Sequence, residues 1–94
     1  MTIVNGQLTT LNTAKDLVTV IEANPGATAI LMQAETQNIR YTMDGQTPTS
    51  SLGLILIVGN DPVRFSGKLQ NLKFLEVTAS AKLNYALIVD KTMA

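Results

Sequence analysis

Ninety-four residues, seven basic against seven acidic, with no histidine and no cysteine, set the frame. Such a chain makes one domain, near the lower end of what folds without staples. Lacking thiol and imidazole, it has no disulfides, no thiolate or imidazole metal sites, and no Ser-His or Cys-His catalytic pair. The charge balance argues against a nucleic-acid or membrane partner, either of which favours a basic face.

The opening MTIVNGQLTT has neither a basic nor a long apolar stretch, so a signal peptide is not expected. With three threonines beside Ile3, Val4 and Leu8, it reads as a first strand over 2–10 with a turn signal at Asn5-Gly6. The next segment, TAKDLVTVIEAN, resists assignment. Ala14, Leu17, Val18 and Ile21 stand at helical spacing, Thr13 with Asp16 resembles a capping box, and Asn24-Pro25 would end a helix. Against this, Val18 to Ile21 are four consecutive β-branched residues, which lose side-chain freedom in a helix. That argument favours an extended segment over 16–22.

Further strands are expected at 28–35, 38–43, 53–58, 62–66, 72–78 and 82–90. Turn signals separate them at Asp44-Gly45, Thr47-Pro48, Gly59-Asn60-Asp61-Pro62 and Ser66-Gly67. Ile39, Tyr41 and Met43 alternate with polar neighbours and read as a core-facing set. Leu83, Tyr85, Leu87 and Val89 do the same in the last strand. Leu54, Ile55, Leu56, Ile57 and Val58 are apolar on both faces. They form either a central sandwich strand or a strand whose outer face meets another chain, and burial favours the core. The run LGLILIVG around them is too short to span a bilayer, so a soluble protein is expected. About eight short strands with brief connections predict an all-β fold: an antiparallel β-sandwich, immunoglobulin-like or jelly-roll-like, in a single domain over 1–94.

The chemistry offered is thin. Asp44, Asp61 and Asp90 each sit at a turn or strand end. In Asp44-Gly45 the carboxylate suits a backbone N–H two residues on. No paired carboxylates suited to glycoside hydrolysis and no calcium loop are present, so no enzyme activity, metal or cofactor is expected. Tyr41, Tyr85, Phe65 and Phe74 read as core residues, leaving a glycan site without a stacking platform. An interaction surface remains. Lys68, Lys73, Lys82 and Lys91 are placed to guard strand edges, while Leu54–Val58 and the first strand could pair between subunits.

The stretch IRYTMDGQTPTSSLGLILIVGNDPVRFSGKLQNLKFLEVTASAKLNYAL resembles a family of small virion proteins of tailed bacteriophages. The resemblance is carried by Pro25-Gly26-Ala27-Thr28, Ala29–Glu35, Ile39–Thr49, Gly53–Leu56, Val63–Gly67, Leu72–Leu75 and Ala81–Tyr85. It implies a non-enzymatic, homo-oligomeric sandwich that sits on the virion, the capsid surface first, after passing through the host cytoplasm. The implied role is capsid decoration or cementing, with the major capsid protein or another virion protein as partner. Tail, connector and fibre positions also fit the pattern. A shorter string, Tyr41-Thr42-x-Asp44-Gly45-x-x-Pro48-Thr49-x-Ser51, is also similar to the small sandwich domains at the C-termini of chitobiases. That likeness implies a carbohydrate-binding accessory role, against which stands the absence of a catalytic domain before Met1. The expected contact residues are Leu54, Ile55, Leu56, Ile57, Asp44, Gln46, Thr47 and Thr49, with Asp44, Gly45 and Pro48 as turn formers.

Overall fold

The computed structural model describes residues 2–90. Its elements are β1 (Thr2–Leu8), β2 (Lys15–Asp16), α1 (Val18–Ala23), β3 (Ala27–Glu35), β4 (Ile39–Thr42) and β5 (Leu54–Leu56). Then follow β6 (Val63–Ser66), a 3-10 turn (Leu69–Asn71), β7 (Lys73–Glu76) and β8 (Lys82–Val89). They make two four-stranded sheets, in the orders β1-β8-β3-β6 and β2-β7-β4-β5, with every pairing antiparallel. The expected all-β sandwich is what forms.

Alternation decides which face turns inward. Across β3 and β8 the register places Ile30 opposite Leu87, Met32 opposite Tyr85 and Ala34 opposite Leu83. Because opposite residues project from the same side of a sheet, these pairs form one apolar layer. The other sheet answers with Ile39, Tyr41, Leu56 and Phe74, all buried. Phe65 and Tyr85 pack against this core from half-buried positions.

The segment over 16–22 is not extended. Lys15 and Asp16 pair briefly with β7, and the chain then turns into a short helix. Leu17 and Ile21, four residues apart, are both buried, and the Ile21 N–H donates to the Leu17 carbonyl at 2.8 Å. The cost of β-branching in a helix is only tenths of a kcal/mol per residue, roughly 0.5, whereas burying two such side chains is worth more, about 1.5–3 kcal/mol each. Burial therefore wins. Thr13 does not cap the helix. Asp16 does part of that work by accepting the Val18 N–H at 3.1 Å, and Asn24 closes the far end through a side-chain bond to the Val20 carbonyl.

Two other expectations fail. Asn5-Gly6 is no turn but lies in the middle of β1. Of the four lysines, the three among the described residues guard no edge, because Lys73 and Lys82 lie on the interior strands β7 and β8, and Lys68 precedes the 3-10 turn. Lys91 lies outside the described residues. Among those residues no helix is long and apolar enough to cross a membrane.

Candidate functional site

The residues between β4 and β5 form a tied-down loop rather than a slack one. Asp44 accepts the Gln46 N–H at 3.1 Å and the Gln46 side-chain amide at 2.8 Å. Gly45 takes a positive φ of 86° and donates its N–H to the Asn71 carbonyl at 3.0 Å, fixing the turn to the 3-10 segment. The Thr42 hydroxyl donates to the Gln46 carbonyl, and Pro48 is fully buried. Further on, the Thr49 hydroxyl accepts the N–H groups of Ser51 and Leu52 at 3.2 and 3.0 Å. The loop is thus held by its own side chains, which commits Asp44 and Thr49 to backbone bonds. Gln46 and Thr47 remain exposed.

The loop delivers the chain into β5, which pairs with β4 on one side only. Contrary to the core assignment that burial favours, Leu54–Val58 lies at the surface apart from Leu56. Only Leu56 points into the core, whereas Leu54, Ile55, Ile57 and Val58 are between 41% and 52% exposed. The physical reason is position: an edge strand covers one face at most, and the chain leaves the sheet after Leu56. Met43, read as core-facing, lies past the end of β4 and is also exposed.

Leu52 and Val63 join the same exposed set. Sequence reading missed Met43, Leu52 and Val63 as surface residues. The signal that could have found them is adjacency to turn residues at Asp44, Gly53 and Pro62. Met43, Leu52 and Leu54 rim an open depression of about 460 Å³. Tyr41 contributes to its lining, and Asp44 and Gln46 supply its polar side. Burial raises the Tyr41 hydroxyl above its ordinary pKa, and the same holds for Tyr85.

On the opposite side of β5, a small crevice bounded by Met32, Ala34, Ile57 and Val63 marks where the two sheets approach at this edge. The predicted contact residues therefore do converge, on an apolar edge next to a polar loop. Leu56 is the exception, since it serves the core. Among the described residues no group of three Asp or Glu side chains is placed to hold a metal ion. Such a surface can bury apolar area and pair a backbone ladder. No family model, curated protein or solved structure matches the chain.

Proposed function

We propose that this protein is a non-enzymatic structural component of a tailed-phage virion, with capsid decoration as its role. The observation that carries this reading is the exposed apolar set Leu52, Leu54, Ile55, Ile57, Val58 and Val63 beside a polar loop held by its own hydrogen bonds. Soluble proteins cover or charge such edges unless another chain covers them. A repeating lattice supplies many copies of one complementary site. Modest contacts then suffice, because each one need bury only a small apolar patch.

The resemblance of Ile39–Thr49 and its flanking strands to small virion proteins supplies the biological setting. The partner is the major capsid protein or another virion protein, reached after synthesis in the host cytoplasm. The test is co-sedimentation with emptied heads of the encoding phage, followed by heat or low-salt challenge. Bound protein and hardier heads are expected. Heads that neither bind it nor gain resistance would overturn decoration, and binding confined to tails or connectors would move the site of action there.

A further inference from the structure

The sandwich has four strand edges, and they are defended unequally. β2 is two residues long and carries Lys15 and Asp16. β6 has Arg64 within it and Pro62 just before it. Short length, charge and proline are the ordinary protections against edge-to-edge pairing. β5 is three residues long and belongs to the surface already described. β1 is different: it runs seven residues, TIVNGQL, with no charge and no proline. Along its whole length it pairs with β8 on one side, from Thr2 opposite Val89 to Leu8 opposite Leu83. Among the described residues no strand lies on its other side.

We infer that β1 pairs antiparallel with β1 of a second copy about a two-fold axis through Gly6, joining two four-stranded sheets into one of eight. Charge leaves a second copy free to be the occupant, and the match of the strand's two faces to themselves selects it. The chain balances seven basic against seven acidic residues, and β1 has none, so self-pairing brings no like charges together. The register follows from matching the two faces. Centred on Gly6, Val4 stands opposite the partner's Leu8, and Asn5 opposite the partner's Gln7.

Val4 and Leu8 already pack against the core from half-buried positions, so their pairing extends an existing apolar layer. On the outer face Gln7 donates its amide N–H to Asn84 at 2.7 Å, which leaves its carbonyl oxygen to accept from the partner's Asn5. At the axis glycine faces glycine, each covered on its inner face by the Tyr85 ring of its own chain. A centre at Asn5 would instead set Val4 against Gly6, Ile3 against Gln7 and Thr2 against Leu8, leaving each large apolar side chain without an apolar partner.

β1 and β6 are the two ends of one sheet, so this contact leaves the β5–β6 edge open. The inference therefore stands apart from the virion reading. A dimer that ignores phage heads sinks only the latter, and a head-binding monomer only the former. Sedimentation equilibrium should give twice the 10.1 kDa chain mass for the wild type. Asn5→Lys, at an exposed position, should give a folded monomer by circular dichroism, while Ile55→Lys on β5 stays dimeric.

An equal mixture of Asn5→Cys and Gln7→Cys chains should oxidise to a linked dimer, with neither variant linking alone, because the chain has no cysteine of its own. A wild type that is monomeric at its highest soluble concentration would overturn the pairing. So would Asn5→Lys dimers, or loss of the dimer only in Ile55→Lys. Linking by Asn5→Cys alone would overturn the register.

Discussion

The Tyr85 ring lies directly over Gly6 on the neighbouring strand, with Cζ and the hydroxyl oxygen occupying the space a side chain would need there. A Cβ built on Gly6 would also meet Cε1 of the ring at 2.8 Å. Gly6 is therefore required by close approach and not by a turn, which is why a glycine persists in mid-strand. Gly6→Ala forces the ring out of its place against the core. The expected loss is about 1–3 kcal/mol, the usual cost of overpacking, read from urea unfolding. In Tyr85→Ala the same glycine change should cost far less, because the two residues touch and their effects couple. Equal costs in both backgrounds would show that the ring is not what excludes the side chain.

Neighbours on β5 should behave as opposites. Leu56 is 3% exposed and Leu54 is 52% exposed. Leu56→Ala opens a core cavity and should cost about 2–5 kcal/mol. Leu54→Ala removes only surface contact and should stay within about 0.5 kcal/mol. If the β5 edge is the capsid contact, Leu54→Ala or Ile57→Lys should weaken head binding while leaving the unfolding midpoint unchanged. Chemical denaturation and co-sedimentation, run on the same preparations, separate the two effects.

Period-two alternation made the central strands legible, because their neighbours on both sides enforce it. Ile39 and Tyr41 on β4, and Leu83, Leu87 and Val89 on β8, could be placed inward without tertiary knowledge. Position within a sheet was not legible. Leu54–Val58 has the composition of a central strand and forms an edge, since composition records what a strand can tolerate and not which strands flank it. The helix was hidden for a related reason. Four β-branched residues argue locally for extension, but the decisive contribution is the burial of Leu17 and Ile21 against residues distant in sequence. At the candidate surface, the turn at Asp44-Gly45 was readable from its chemistry alone, whereas the exposure of Met43 and Leu52 depended on where the strands ended.

Gly53 joins the loop to β5 with φ at +125°, and a Cβ there would come 3.0 Å from the Tyr41 carbonyl oxygen. Its own carbonyl accepts from the Arg40 guanidinium at 3.1 Å. Gly53→Ala combines backbone strain with a tight contact to backbone that cannot easily give. A loss of about 1–3 kcal/mol is expected, in the range for a strained backbone position. Loop amides around 49–54 should exchange faster with solvent, and a variant exchanging like the wild type would show that the conformation is not demanding.

Asp44 separates a turn former from a binding residue. Its carboxylate accepts the Gln46 N–H, and asparagine retains one such acceptor. Asp44→Ala should lose about 0.5–1.5 kcal/mol, one net hydrogen bond, and Asp44→Asn should recover most of it. If the depression beside Asp44 and Gln46 instead held a saccharide, both variants would lose binding on a glycan panel without regard to stability. A panel with no wild-type signal disposes of that role.

Alkaline pH should destabilise this protein through its two tyrosines. Burial raises the hydroxyls of Tyr41 and Tyr85 above the ordinary value of 10.0, because desolvation penalises the phenolate. The folded state then holds these protons more tightly than the unfolded chain. Stability from this source is fully present below about pH 10 and is lost as pH rises through the folded-state values, since the unfolded state binds fewer protons there. Tyr41→Phe keeps the ring in the core and removes the ionisable group, so its unfolding midpoint should fall less steeply above pH 10 than that of the wild type. Ultraviolet titration of the folded protein at the phenolate band should show two tyrosines ionising late. Ionisation at the ordinary value, or a Tyr41→Phe variant with the wild-type alkaline slope, would assign the alkaline transition to other groups.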